Sequence, residues 1–152
     1  MDLAKALWTV PASRIKTKRE HTVTLSMPAM AILHRLKEHA DKNPWVFLGE
    51  RSGKPLSGMA MLMLLRRMNR ADITVHGFRS TFRDWAAEQT NYPREVAEAA
   101  LAHISGDKVE RAYRRTDFLE KRRQMLEAWG RYCMTPSLTA AQQGEVVPLR
   151  RG

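Results

Sequence analysis

The sequence contains a single cysteine, Cys133, so it can form neither an internal disulfide nor a cysteine-based zinc site. It also lacks a run of about 18 apolar residues, a lipidation signal and a basic-then-apolar leader. These absences argue against a membrane-spanning or secreted protein. We therefore expect a cytoplasmic chain that does not associate with a membrane.

Acidic residues are scarce. There are 16 Asp and Glu against 26 Lys and Arg, which gives a formal net charge of +10. Such a balance favours a polyanionic partner, with nucleic acid first and an anionic membrane surface as the weaker alternative. The 152 residues, 43% of them hydrophobic, suffice for one domain with a real core but are too few to expect two.

Hydrophobic patterning predicts a hairpin followed by helices. Leu7–Val10 and His21–Leu25 are typical of short strands because of their β-branched residues. Helical spacing and capping residues predict helices over the following approximate ranges: 26–40 with Ser26 as N-cap, 59–68 with Ser57 as N-cap, 76–89, 93–101, and 117–132 with Asp117 as N-cap. A short helix from Asp107 is predicted to carry Tyr113.

Two further segments lack this periodicity. Residues 43–55 are predicted to form a loop around a buried extended piece, Trp45–Leu48. The tail, residues 134–152, contains Pro136, Gly144 and Pro148 and is predicted to be disordered.

Basic residues concentrate at two places that are candidates for DNA contact. Arg14, Lys18 and Arg19 lie in the connection of the hairpin, and Arg66 and Arg67 lie at the end of the helix at 59–68. A solvated turn explains the first group equally well, and complementing the helix dipole is the commoner explanation for the second. Both alternatives stay open from the residues alone.

His76 and Arg79 are three residues apart, so on a helix their side chains share one face. An imidazole beside a guanidinium suits a phosphate. An apolar flank recurs at helical spacing in the same segment and can anchor it in a core; it comprises Val75, Phe78, Phe82, Trp85 and Ala86.

His103 and Tyr113 complete a set capable of phosphoryl chemistry. A tyrosine nucleophile needs a base or cationic surroundings, because its usual pKa is about 10. Fixed Arg and His donors stabilise the charge that gathers on a phosphodiester under attack, and a Lys or His can protonate the leaving alkoxide. No metal or cofactor is required. Each residue also has an ordinary alternative: helix cap for His76, solvated charge for Arg79, satisfied histidine for His103 and core tyrosine for Tyr113.

Taken in order, these four residues and the segments HGFRSTFRDWAAE, VAEAALAH and KVERAYRR closely resemble the catalytic half of the tyrosine recombinases. This is the phage integrase family, and the resemblance is greatest to integrases of prophages and genomic islands. It covers residues 7 to 133 and implies an α+β, mainly helical domain with a small antiparallel sheet, lacking its first helices. We accordingly assign residues 1–133 to a partial, N-terminally truncated catalytic domain.

The resemblance also implies a mechanism on double-stranded DNA. Tyr113 attacks a scissile phosphate, forms a 3′-phosphotyrosyl link and releases a 5′-hydroxyl, and other recombinase protomers supply the partner strands. Arg79 corresponds to the second arginine of the family, His76 to its phosphate donor or proton acceptor, and His103 to the other histidine. Lys16 corresponds to the lysine that protonates the leaving oxygen, with Lys18 as a close competitor.

Two departures from the family pattern bear on activity. The usual glycine before the second histidine is Ala102, a small-for-small change that we expect to be tolerated. No residue matches the first catalytic arginine, and losing one of two arginines on a phosphate costs on the order of a few kcal/mol, or ~100 to 1000-fold in rate. We therefore expect impaired recombination. The alternatives are an inactive remnant that only binds DNA or another recombinase and, more weakly, an unrelated basic nucleic-acid-binding domain.

The last predicted helix has a broad apolar side although it follows the nucleophile. In the resembling family this segment docks on a neighbouring protomer. We expect it to act between molecules, with packing onto its own domain as the alternative that periodicity favours about equally.

Overall fold

The computed structural model describes residues 1–15, 17–38, 43–49, 53–103 and 117–136. Near the start of the chain, strand β1 (Leu7–Val10) pairs antiparallel with strand β2 (His21–Thr24), and Val10 lies opposite His21. The predicted hairpin is thus confirmed, with β2 ending one residue earlier than expected. A 3-10 turn, Ala12–Arg14, follows β1 in the connection.

The described ranges contain five α-helices: α1 (Met27–Glu38), α2 (Ala60–Arg67), α3 (Gly77–Glu88), α4 (Arg94–Ala100) and α5 (Leu119–Met134). Each was predicted, and most boundaries differ by one or two residues, as helix ends commonly do. With its small two-stranded sheet, this is the mainly helical α+β architecture that the sequence predicts. None of these helices is long and apolar enough to cross a membrane.

The core lies between α3, α4 and α5. Its buried members are Phe82, Trp85, Ala86, Val96, Ala97 and Met125. Trp129 of α5 meets Phe82 edge to face, with ring centroids 5.4 Å apart, and lies 5.1 Å from the Trp85 ring. Phe78 and Val75 remain exposed, so only the C-terminal part of the predicted α3 flank is buried.

Helix α5 packs within its own domain, which makes the expectation of an intermolecular role wrong. It packs against α4, α1 and β2. Met125 is completely buried there. Gly130 lets α1 approach closely, since a Cβ at this position would come 2.5 Å from Ser26 Oγ.

The start of α1 also depends on α5. The Met27 N–H donates to Glu127 Oε2 at 2.8 Å, so a carboxylate from a distant helix satisfies one of the free N–H groups at this end. The sequence predicted only the local Ser26 cap. A contact between residues 100 positions apart is invisible to local patterning.

Two local predictions are wrong. The segment predicted to be buried is exposed along its whole length, Trp45–Leu48. It lies outside the α3–α5 core, and Leu48 forms an isolated antiparallel β-bridge with Pro55. The N-cap of α2 is Met59 and makes no side-chain cap bond, whereas Ser57 contributes only its backbone carbonyl to the Ala60 N–H.

Candidate active site

The N-terminus of α3 is organised by Thr74 rather than by His76. Thr74 Oγ1 and the Thr74 carbonyl both accept from the Gly77 N–H at 3.0 Å. His76 occupies the N-cap position without a side-chain cap bond, and it is exposed. The alternative that His76 serves to cap the helix is therefore wrong, and its imidazole extends from the start of the helix that carries Arg79.

Arg79 is exposed but fixed. Its Nη2 donates to the Leu101 carbonyl at 2.6 Å and lies 2.7 Å from His103 Nε2. Leu101 is the C-cap of α4, where the free carbonyls carry partial negative charge that attracts a cation. Within the described part of the chain, the recorded bonds of the guanidinium all involve Nη2, which leaves Nε and Nη1 to bind another group.

His103 reaches Arg79 because of the way α4 ends. Ala102 adopts a left-handed conformation with φ 56°, and the His103 N–H then bonds back to the Glu98 carbonyl at 2.9 Å. This is the Schellman arrangement, in which a left-handed residue, usually glycine, turns the chain out of the helix. The turn brings His103 beside Arg79, although 24 residues separate them in sequence.

Behind His103 lies Glu98, which the sequence analysis missed. Its side chain is only 11% exposed, and Oε2 lies 2.7 Å from His103 Nδ1. Oε1 faces Arg83 Nη2 at 3.1 Å and Arg94 Nε at 3.9 Å. The available signal was a lone carboxylate directly after Val96 and Ala97, on the buried side of α4, five residues before a candidate histidine.

The other candidates are placed less completely. Lys16 and Tyr113 lie outside the described residues, as does the predicted short helix from Asp107. Arg14, Lys18 and Arg19 are exposed in the hairpin connection, and Arg66 and Arg67 are exposed at the end of α2. Their contact with DNA stays a prediction.

His103 and Arg83 contact one buried carboxylate, Glu98, and Arg79 contacts the far side of His103. Such donors, held by packed helices, can bind an anionic oxygen without rearranging. The geometry therefore suits recognition of a phosphate at the junction of α3 and α4.

Comparison with known proteins supports the family resemblance. The profile of the phage integrase family matches residues 1–120. The chain is 34% identical over 149 residues to prophage integrase IntA of Escherichia coli K12, covering 97% of this chain and 35% of that protein. It is 33% identical over 128 residues to prophage integrase IntZ of the same strain, covering 84% and 32%.

The integrase of Enterobacteria phage P4 is 30% identical over 148 residues, covering 86% of this chain and 34% of that protein. The chain thus spans about a third of the length of these relatives. No significant match to a solved structure was found. The family profile covers most of the chain, so the protein belongs to the phage integrase family.

Proposed function

We propose that this chain is the catalytic part of a site-specific DNA recombinase that cleaves and rejoins double-stranded DNA. The observation that carries the proposal is the 2.7 Å contact between Arg79 Nη2 and His103 Nε2. Arg79 of α3 meets His103, which directly follows α4, and the family resemblance assigns both residues to the phosphate. Because relatives of this chain are named integrases, we infer that the recombination it takes part in is DNA integration.

In the proposed reaction the Tyr113 phenol oxygen attacks the scissile phosphorus, and the bond from phosphorus to the 5′-oxygen breaks. His76 accepts the phenol proton, and Lys16 donates a proton to the leaving 5′-oxygen. Arg79 and His103 donate to the non-bridging oxygens, where negative charge increases during the attack. The product is a 3′-phosphotyrosyl link, and the 5′-hydroxyl of a strand held by another protomer reverses the step.

The chain's other tyrosines support Tyr113 as the nucleophile. It has three tyrosines in all. Tyr92 packs against the core, and Tyr132 stacks on Trp129 with ring centroids 5.4 Å apart. Tyr92 lies between α3 and α4 and Tyr132 lies on α5, and both rings contact apolar or aromatic side chains of the core, although Tyr132 is partly open to solvent.

A second candidate function is DNA binding without cleavage, which the formal net charge of +10 favours because it attracts phosphates whether or not a nucleophile acts. One experiment separates the two. The chain is incubated with duplexes of randomised sequence that carry a nick, so that cleavage near the nick releases a short fragment and traps the covalent intermediate. Protein-linked DNA is recovered under denaturing conditions and sequenced.

Recombinase chemistry predicts covalent adducts with the unmodified chain and none with Tyr113→Phe. Tyr132→Phe is the matched control and should leave adduct formation unchanged. Arg79→Ala should reduce adducts by roughly 100-fold or more, as loss of a transition-state donor does. DNA binding without any adduct would refute the proposal and support the second candidate.

A further inference from the structure

Glu98 is a buried carboxylate that the proposed reaction leaves without a role. Its side chain is 11% exposed, whereas Glu95, one turn earlier on α4, lies on the exposed side. A buried carboxylate is costly unless it is paired and hydrogen-bonded. Its two oxygens have different partners: Arg83 and Arg94 face Oε1, and His103 Nδ1 lies 2.7 Å from Oε2.

This division of partners orients the carboxylate. Arg83, at 3.1 Å, holds Oε1 on the side of α3, so Oε2 points to the end of α4 where His103 lies. An ionised carboxylate can only accept hydrogen bonds, and therefore the hydrogen in this contact belongs to His103 Nδ1.

The second ring nitrogen of His103, Nε2, faces Arg79, and this contact fixes its protonation as well. Arg79 has donors and no acceptor, so His103 Nε2 must offer its lone pair to Arg79 Nη2 at 2.7 Å. Both ring nitrogens are thereby assigned. The two contacts together are compatible with the neutral imidazole that carries its hydrogen on Nδ1, and not with the other tautomer.

We propose that Glu98 is a positioning residue that holds His103 as the Nδ1–H tautomer and keeps Nε2 directed at the phosphate site. The site's link to phosphate rests on the function proposed above, but the tautomer does not. When a phosphate oxygen replaces the Nε2 lone pair as the acceptor for Arg79 Nη2, a proton taken up from solvent at Nε2 makes His103 a second donor to that phosphate. The ring need not turn, because Nδ1–H stays bonded to Glu98.

The test is nuclear magnetic resonance of the full chain labelled with ¹⁵N-histidine, at a pH of about 8, where histidine is ordinarily neutral. Long-range ¹H–¹⁵N spectra distinguish a protonated from an unprotonated ring nitrogen. The His103 signals are identified by their loss in His103→Gln. We expect a protonated Nδ1 and an unprotonated Nε2.

Glu98→Gln keeps the size of the side chain but removes its charge, and its amide can either donate to or accept from Nδ1. We expect loss of the pure Nδ1–H signature and the appearance of a mixture of tautomers. Glu95→Gln, on the same helix, is the matched control and should leave the wild-type signature. An unprotonated Nδ1 in the wild type, or an unchanged signature in Glu98→Gln, would overturn the proposal.

Arg79→Gln decides the question if Glu98→Gln does not fold. It alters an exposed residue and leaves Glu98 in place, so His103 should remain in the Nδ1–H form. A switch to the Nε2–H form would show that Arg79, not Glu98, selects the tautomer. These spectra do not involve DNA. Failure of the nicked duplexes to give adducts would therefore refute the proposed function while leaving the role of Glu98 to be judged on the tautomer alone.

Discussion

At the scale of single residues, Ala102 shows how a strained backbone places a functional side chain. Its φ of 56° turns the chain out of α4 and delivers His103 to Arg79. A residue with a Cβ pays roughly 1–2 kcal/mol for this left-handed conformation, whereas glycine adopts it freely. The resembling family's preference for glycine here has this physical cause, and alanine is tolerated at a cost.

Ala102→Gly should therefore stabilise the protein. Relief of strain outweighs the extra freedom that glycine gives the unfolded chain, so we expect a gain of about 1 kcal/mol and a melting temperature about 2–4 °C higher. Ala87→Gly, at an exposed position inside α3, is the control and should lower stability by about 1 kcal/mol. Calorimetry measures both. A lower melting temperature for Ala102→Gly would contradict the strain argument.

The site residues differ in how far the sequence could predict them. The helical spacing of His76 and Arg79 and the motif series around them led to Arg79 and His103, which the fold brings together. Glu98 was missed because nothing in local spacing distinguishes a buried glutamate from a solvated one. Its role depends on partners from two segments, Arg83 on α3 and His103 beyond α4, and only tertiary packing reveals them.

At the scale of elements, Arg122 joins the hairpin to α5. It is 2% exposed, and its Nη1 donates to the Thr22 carbonyl at 2.6 Å. Its Nε and Nη2 bond to the Asp117 carbonyl and carboxylate, both at 2.8 Å. An arginine within a helix is ordinarily taken for a solvated charge, and for this reason local patterning does not distinguish Arg122 as a buried link between α5 and the hairpin.

His21 lies near Arg122, at the contact between the hairpin and α5, and makes the stability of the fold depend on pH. Burial of the imidazole, and then the nearby charge of Arg122, lower the pKa of His21 below its usual value. Its Nε2 is buried without a hydrogen-bond partner in the described part of the protein. The folded state therefore binds a proton at His21 less readily than the unfolded state does.

From this difference we expect stability to be fully present above the ordinary histidine pKa of about 6.5 and to fall as the pH drops below it, because only the unfolded chain then gains the proton. Urea unfolding between pH 8 and pH 5 measures the effect. His21→Asn should flatten the dependence, whereas His34→Asn, at an exposed position of α1, should not. Equal pH slopes in the wild type and His21→Asn would contradict it.

At the scale of the whole molecule, the sequence predicts which segments are helical better than which of them form the core. α2 is apolar on nearly every side, yet of its residues only Leu65 is buried, whereas Met61, Met63 and Leu64 are exposed. α5 carries more charge and nevertheless supplies the fully buried Met125. Periodicity reports the shape of one element, whereas burial depends on the neighbours that the fold brings to it.

The net charge of +10 leads to a last prediction, on DNA binding by the whole domain. Phosphate contacts release counterions, so affinity for a random duplex should fall roughly tenfold or more between 50 and 200 mM salt, even with only two contacts. Arg79 has Nε and Nη1 available beyond its bonds within the described residues, and Arg79→Ala should reduce the slope of log affinity against log salt by about 1.

Two variants are the controls for this measurement. Tyr113→Phe removes only an uncharged hydroxyl and should leave the slope unchanged. Arg131→Ala removes the same charge as Arg79→Ala, but from a side chain on α5 that lies 3.8 Å from Glu127, and it should change the slope less. Fluorescence anisotropy across a salt series provides the slopes. An affinity that is flat with salt would show that phosphates do not dominate binding, and equal effects of Arg79→Ala and Arg131→Ala would show that net charge matters and the Arg79 site does not.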